Sequence, residues 1–150
     1  MLTDSTIKTQ KMRHLFISII ILGLTVFFSS RTIAQKSLAN TGWSLIKITN
    51  PITNQTQLAD FSCGTTLRFD INGNYNGYSG WNSYDGKYVV TDNSSLTMNN
   101  PFRTKRMGES NCKLGESLFD YFTTTNKYLI TEDTLFLWTT DSVKIIFLKK

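Results

Sequence analysis

The chain has 150 residues, the length of one domain with short appendages. Its single histidine, His14, lies near the N-terminus, so the rest of the chain cannot form a Ser-His-Asp or Cys-His catalytic set or a histidine-based zinc site. The formal net charge is +5, but four of the sixteen basic residues and only one of the eleven acidic residues lie in residues 1–34, which leaves +2 beyond them. The longest basic cluster, residues 103–106, is too short for a nucleic-acid-binding face, so we expect no nucleic-acid partner.

Residues 1–34 have the three parts of a secretory signal peptide. Basic residues precede the apolar run 15–28, and small residues precede a cleavage point after Ala34. The apolar run is shorter than the ~20 residues that span a bilayer, so retention as a membrane anchor is the disfavoured alternative. No cysteine lies near the cleavage point, which argues against a lipid anchor. We expect an exported protein, periplasmic or extracellular, without a permanent membrane span after cleavage.

For the rest of the chain the sequence predicts a short polar lead at 35–41 and one β domain at 42–150. Strand-like segments recur about every 8 to 12 residues between polar turns. These segments are residues 42–48, 66–71, 87–91, 96–98, 128–131, 134–138 and 143–148. The spacing predicts a mainly β fold, either a small antiparallel β-barrel or a sandwich.

Two dipeptides predict the hairpins of this sheet. Leu67, Phe69 and Ile71 alternate with polar residues, and Asn72-Gly73 then predicts a type I′ turn, because both residues tolerate positive φ. Asp85-Gly86 predicts a second hairpin. The segment 99–103 is expected to be a loop.

One helix is predicted near 113–123. Leu114, Leu118, Phe119 and Phe122 recur at helical spacing, with Glu116 and Asp120 expected toward solvent. The β-branched residues after Phe122 are poor helix formers and predict the end of the helix. We expect this helix to cover or plug the barrel, with Leu118 and Phe122 buried.

The segment 75–88 alternates aromatic rings with glycine and asparagine. Its rings are Tyr75, Tyr78, Trp81, Tyr84 and Tyr88. They supply rigid area for core and hairpin packing, which is the favoured interpretation. The alternative is a groove that binds a ligand or stacks on sugars.

Several patterns resemble catalytic or metal sites but lack a residue or a setting that such a site needs. Residues 70–74 are rich in oxygen like a calcium loop, but Trp81 stands where the bidentate glutamate is needed. Ser79 lies between glycines but has no base to activate it. The acids that could supply a glycosidase pair lie in polar settings, so solvated surface is favoured. They are Glu109, Glu116, Asp120, Glu132 and Asp133. We expect no catalytic residue, metal site or cofactor.

Residues 77–88 resemble the signature of the META domain family, which includes the envelope protein HslJ and is written G-x-x-G-C-N-x-[YF]-x-G-x-Y. The matching residues are Gly77, Gly80, Asn82, Gly86 and Tyr88, and Trp81 stands at the position of the family's cysteine. The family's Thr-[RK]-x-Met element matches Thr104 to Met107, and the tryptophan strand, the Glu-containing helix and the closing strands occur in the family's order. The resemblance covers the chain from about residue 40 to the end.

The cysteines depart from the family pattern. Cys63 and Cys112 are the only two, and because exported chains keep disulfides we expect them to be paired. In the family a cysteine occupies the position of Trp81, and a second follows the methionine element. Both are missing here, so the resemblance implies that the disulfide has moved. Trp81 would then be a buried ring filling the space of the former bridge.

Two classes of function remain open. The resemblance implies a non-enzymatic exported domain that supports the cell envelope, including under stress, by binding another envelope protein. The alternative is a small β-barrel inhibitor or ligand carrier. An enzyme that uses carboxylates alone is a distant third. We expect a monomer.

Overall fold

The computed structural model describes residues 36–106 and 111–150. The predicted signal peptide lies outside the described residues, as do Met107 and Glu109. The described ranges contain nine strands: β1 (Thr41–Asn50), β2 (Gln55–Leu58), β3 (Thr66–Phe69), β4 (Asn74–Tyr78), β5 (Ser83–Val90), β6 (Leu96–Arg103), β7 (Thr125–Thr131), β8 (Thr134–Thr139) and β9 (Lys144–Lys149). Helix α1 (Lys113–Leu118) continues as a 3-10 segment (Phe119–Thr124), and a shorter 3-10 turn (Phe61–Cys63) precedes β3.

All strand pairs are antiparallel and form one curled sheet, a half-barrel, in the order β6-β5-β4-β3-β1-β9-β8-β7. Strand β2 pairs with the second half of β1, beyond the part of β1 that pairs with β3. The two edge strands approach each other at one bridge, between Ser95 and Lys127. The predicted antiparallel β fold with one helix is therefore confirmed.

The concave side of the sheet holds the core. Its largest fully buried side chains are Trp43, Phe69, Tyr75, Phe122 and Phe147. Buried residues alternate with half-buried ones along β8 and the first four residues of β9, as in strands with one face in the core. Leu38, from the segment expected to be a polar lead, is also buried. In the described residues no helix is both long and apolar enough to span a bilayer.

The helical segment contributes two side chains to this core. Leu118 and Phe122 are 0% exposed, as expected from their helical spacing. The α-helix itself is only six residues long, because the chain tightens into 3-10 geometry at Phe119 and then enters β7 at Thr125. The β-branched threonines of this region favour extended backbone, which explains the early end.

Both predicted hairpin turns were wrong in detail. In the first, the Asp70 carboxylate accepts hydrogen bonds from the backbone N–H of Asn72 (2.8 Å) and Asn74 (2.7 Å), and only Gly73 has positive φ (77°). This side-chain cap replaces the type I′ turn with a longer loop. Because β3 ends before the loop, Ile71 is 72% exposed and not in the core.

The second turn lies earlier than predicted. Asp85 and Gly86 lie inside β5, and the chain reverses instead between Tyr78 and Ser83. The segment 99–103, predicted as a loop, continues β6. Pro101 is tolerated there because β6 is an edge strand, where a missing N–H breaks no required pairing.

Candidate functional site

Two glycines of the 77–88 segment make room for buried tyrosine rings. A Cβ on Gly77 would lie 2.6 Å from Cζ of Tyr84, and a Cβ on Gly86 would lie 2.6 Å from Cε1 of Tyr75. Gly77 pairs with Tyr84 and Gly86 with Tyr75 across β4 and β5. Each ring therefore crosses the glycine opposite it, which is why these strands alternate glycine with tyrosine. Tyr75 and Tyr84 serve core packing, in line with the favoured interpretation of the aromatic series.

Tyr88 also has a structural role. Its hydroxyl donates to the carbonyl of Asp70 (2.7 Å), and its ring meets Phe69 edge-on with centroids 5.0 Å apart. Burial raises the pKa of Tyr88, with a smaller contribution from the nearby Asp70 charge. Tyr88 therefore holds the loop between β3 and β4 in place.

Cys63 and Cys112 form a disulfide with their Cα atoms 5.7 Å apart. It joins the 3-10 turn before β3 to the residue before α1. Gly80 packs directly on it, since a Cβ there would lie 2.6 Å from Cβ of Cys112 and 2.9 Å from Cβ of Cys63. Gly80 also has φ of +92°, a conformation that glycine adopts without strain. The bridge therefore lies against the β4–β5 turn, next to Trp81.

Glu116 organises this turn from the helix side. Its carboxylate accepts hydrogen bonds from the Ser79 hydroxyl and from Nδ2 of Asn82 (3.0 Å). Ser79 and Asn82 are themselves buried. The expectation that Glu116 points to solvent was therefore wrong, because these buried donors need an acceptor.

A sequence signal for this contact existed in the neighbouring residue, Gly115. A Cβ at Gly115 would lie 2.5 Å from Oγ1 of Thr65 and 2.8 Å from the carbonyl carbon of Ser79. A glycine inside so short a helix marks a place where two backbones approach closely. The close approach brings Glu116 within reach of the turn.

Asn82 connects the turn to the segment after β6. Its Oδ1 accepts hydrogen bonds from the backbone N–H of Arg106 (2.9 Å) and from Oγ1 of Thr104 (3.3 Å). Thr104 Oγ1 also accepts from the backbone N–H of Ser83 (3.1 Å). Asn82 thus uses both ends of its amide, one on α1 and one on residues 104–106. These contacts place three residues that the sequence singled out, Asn82, Thr104 and Trp81, at one site.

An open groove of about 460 Å³ lies at this junction, which we call the motif groove. It is lined by Trp81, Asn82, Arg103, Thr104, Lys105, Arg106 and Glu116. Trp81 is half-buried, so the expectation of a fully buried ring was wrong. Its indole Nε1 is nevertheless buried and has no hydrogen-bond partner in the described part of the chain.

The cations of the motif groove differ in their surroundings. The Arg103 guanidinium lies 4.9 Å from the centre of the Phe119 ring, with Nη1 3.8 Å from Oε2 of Glu116. For Lys105 and Arg106, no carboxylate of residues 36–106 and 111–150 lies within salt-bridge distance. The groove therefore carries three positive charges against one carboxylate that is already bonded.

Two other grooves on the described surface are larger but mixed in charge. One, of about 580 Å³, contains Arg68, Asp70 and Lys150, and the other, of about 530 Å³, contains Asp70, Asp85 and Lys87. Among the described residues no cluster of three or more histidine, cysteine or acidic side chains could hold a metal. Of these three grooves the motif groove has the largest excess of positive charge, and its chemistry suits binding of an acceptor group.

Comparison with protein families matches residues 36–150 to the family described as META domain. A search of curated proteins found no significant match. Among solved structures, the NMR structure of a protein from Burkholderia xenovorans is similar with a TM-score of 0.64 and 16% identity, over 75% of this chain and 83% of that one. The crystal structure of a DUF4847 family protein from Bacteroides vulgatus is similar with a TM-score of 0.53 and 13% identity, over 74% of this chain and 93% of that one. At these identities the two structures show a shared fold alone.

Proposed function

The chain belongs to the META domain family, and on that basis we propose that it is a non-enzymatic exported domain that binds another protein of the cell envelope and supports the envelope under stress. The META family is not known for enzymatic activity. The chain has no histidine after His14, and Glu116, an acid that contacts the family motif from α1, accepts hydrogen bonds from Ser79 and Asn82. These facts favour a binding role.

The observation that carries the proposal is the exposed apolar surface of the β1–β2 hairpin and the turn after it. Ile52, Leu58 and Phe61 are 76%, 74% and 74% exposed, and all three lie within ten residues. Exposed apolar groups concentrated in one segment are typical of protein interaction sites. Phe61 belongs to the turn that ends at Cys63, so the disulfide anchors this surface.

Strand β2 adds a second reason. In the described residues it pairs with β1 alone, so its outer edge offers free backbone donors and acceptors. Its sequence, Gln-Thr-Gln-Leu, contains no charge, whereas solvent-exposed edges are usually protected by charged residues or proline. An uncharged edge beside apolar side chains suits addition of a strand from a partner protein.

The partner is to be identified by capture from the periplasmic fraction of the native host, with the full-length chain expressed there with a C-terminal tag. A triple variant, Ile52→Ser, Leu58→Ser and Phe61→Ser, should lose the partner. Ile71→Ser is the matched control, because Ile71 is equally exposed on another loop. Equal capture by the triple variant and the wild type would refute the hairpin as the binding surface. Denaturant melts of each variant verify that the fold is kept.

Export is part of the proposal and has its own test. We propose that residues 1–34 are removed as a signal peptide, so that the mature chain begins at Gln35 and lies in the periplasm or outside the cell. The disulfide is compatible with an oxidising compartment. Intact-mass measurement of the chain from the periplasmic and secreted fractions should give the mass of residues 35–150. A product that retains residues 15–28 would show that the segment is kept as an anchor.

The alternative functions use different parts of the molecule. A ligand carrier needs an internal cavity, but rings and aliphatic side chains fill the concave side of this sheet. An inhibitor would insert an exposed loop into a hydrolase, and the β1–β2 hairpin has the required exposure. A captured partner with hydrolase activity that the chain reduces would favour the inhibitor.

A further inference from the structure

We propose that the motif groove binds an acidic segment of the partner protein through its carboxylates. The inference rests on the proposed function, because it names the chemistry of the partner. It concerns the surface formed by Trp81, Asn82, Glu116 and residues 103–106, separate from the β1–β2 hairpin.

The described side chains of the groove present hydrogen-bond donors, and their acceptors on Asn82, Thr104 and Glu116 are already bonded. The Glu116 oxygens already accept from Ser79 and Asn82, and Oδ1 of Asn82 accepts from Arg106 and Thr104. Within residues 36–106 and 111–150, the indole N–H of Trp81 has no acceptor. A buried donor without a partner costs free energy, and a ligand acceptor would remove that cost. The missing partner is therefore an acceptor, as a carboxylate oxygen is.

The charges of the groove also favour a negatively charged ligand. Lys105 and Arg106 have no ion-pair partner in the described ranges, whereas Arg103 is fixed by Glu116 and the Phe119 ring. A carboxylate placed between Trp81 and these cations would receive charge-assisted hydrogen bonds, which are stronger than neutral ones. Charge complementarity thus selects an anionic occupant.

The spacing of the cations favours a peptide over a single small anion. Residues 103–106 are consecutive, and in extended chain they span on the order of 10 Å. One phosphate or one free carboxylate would meet only part of this array. In an extended acidic segment alternate side chains point to the same side, so alternate carboxylates can meet Arg103 and Lys105, which are two residues apart. The groove volume of about 460 Å³ is that of a site for a few residues.

The groove is also held in shape before any ligand arrives. Asn82 fixes the backbone of Arg106 and Thr104 fixes that of Ser83, while the disulfide packs on Gly80 beside Trp81. A preformed site loses less conformational entropy on binding. The backbone that carries these donors is therefore positioned before a ligand binds.

The binding test uses the full chain purified from the expressing cells and a fluorescent hexaglutamate peptide. Hexaglutamine is the uncharged control peptide. We expect the glutamate peptide to bind at low salt and to weaken as salt rises, because exposed charges are screened. The Lys105→Gln, Arg106→Gln double variant should bind at least about 10-fold more weakly, from the loss of two charge-assisted contacts. Trp81→Phe keeps the ring and removes the N–H, and should weaken binding about 3-fold or more.

The control variant is Lys149→Gln, Lys150→Gln, which removes the same charge at the end of β9. It should change the affinity by less than about 2-fold. Equal losses in the two double variants would show that net charge alone attracts the peptide and would overturn the proposal. Equal binding of hexaglutamine or an unchanged affinity of Trp81→Phe would also overturn it. So would displacement of the labelled peptide by phosphate or glutarate at the same concentration at which unlabelled peptide displaces it.

Partner capture separates this inference from the proposed function. If Lys105→Gln, Arg106→Gln loses both the peptide and the captured envelope partner, both proposals are supported. If capture is unaffected by the double variant, the acidic-segment inference fails while the proposed function stands. If the peptide binds as expected but no envelope partner is captured, the proposed function fails instead.

Discussion

Truncation of Phe122 to alanine should destabilise the fold by about 3 to 5 kcal/mol. The side chain is 0% exposed and lies at the centre of an aromatic cluster, with its ring 4.9 Å from that of Tyr84, 5.2 Å from Tyr75 and 6.0 Å from Phe119. A phenylalanine buries roughly 150 to 250 Å², and the part lost on truncation is worth on the order of 3 kcal/mol at about 25 cal/mol/Å². The cavity left among rings on both sides raises the total into the upper range for such substitutions.

The free energy of unfolding is to be measured from urea or guanidinium melts of wild type and variant, with the slope of the transition compared as a check on two-state behaviour. Phe122→Leu refills most of the volume and should cost less than about 1.5 kcal/mol. Phe61→Ala is the control, because Phe61 is 74% exposed. A loss below about 1 kcal/mol for Phe122→Ala would refute the inference that the helical segment is a structural part of the core.

Three further predictions concern the cross-link and the glycine–tyrosine packing. Replacing Cys63 and Cys112 together by alanine should lower the free energy of unfolding by about 4 kcal/mol, the chain-entropy value for a separation of 49 residues; an unchanged denaturation midpoint would contradict this. Gly86→Ala should cost about 1 to 3 kcal/mol because its Cβ would meet the Tyr75 ring, whereas Gly42→Ala, with only ordinary contacts, should change stability by less than about 0.5 kcal/mol; equal effects in melts would argue against the ring contact. Burial, aided by the Asp85 charge, raises the pKa of Tyr75 above its usual value near 10. The unfolded chain therefore releases this proton at lower pH than the folded chain does. As a result, the free energy of unfolding should fall as the pH rises above about 10. Tyr75→Phe removes a hydroxyl that has no hydrogen-bond partner in the described residues, so it should leave the stability at pH 7 nearly unchanged. In melts from pH 7 to 11 the stability of the variant should fall less steeply than that of the wild type. An equally steep fall would assign the pH dependence to other groups.

Most strands were predictable because each is a local pattern, but β2 was not predicted and residues 99–103 of β6 were predicted as a loop. Alternation in β3, β8 and β9 follows from the two-residue period of a sheet with one buried face, and Leu118 and Phe122 follow from the helical period. The turns were predicted less well. Asn72-Gly73 and Asp85-Gly86 are equally good turn sequences, but the Asp70 carboxylate reshapes the first, and Gly86 is needed opposite the Tyr75 ring.

The family and the pairing of Cys63 with Cys112 also came from the sequence, the first from the order of short motifs and the second from the cysteine count in an expected export context. The motif groove could not be predicted from the sequence. Its members come from the β4–β5 turn, the end of β6 and α1. Gly115 signals a close backbone approach, but nothing in the local sequence identifies Ser79 and Asn82, 37 and 34 residues away, as the hydrogen-bond partners of Glu116.

By itself the sequence determined the burial of Leu67 and Phe69 in β3 and of Leu118 and Phe122 in the helical segment, because burial there follows the period of strand and helix within a few neighbouring residues. It also determined the family. Only the tertiary structure decided what the polar residues do. Glu116, expected toward solvent, is drawn to buried donors that arrive from another part of the chain, and Trp81 is left half-buried beside cations from β6 and the segment after it. A buried donor must find its acceptor wherever the fold places one, and that position is set by long-range packing and not by sequence spacing.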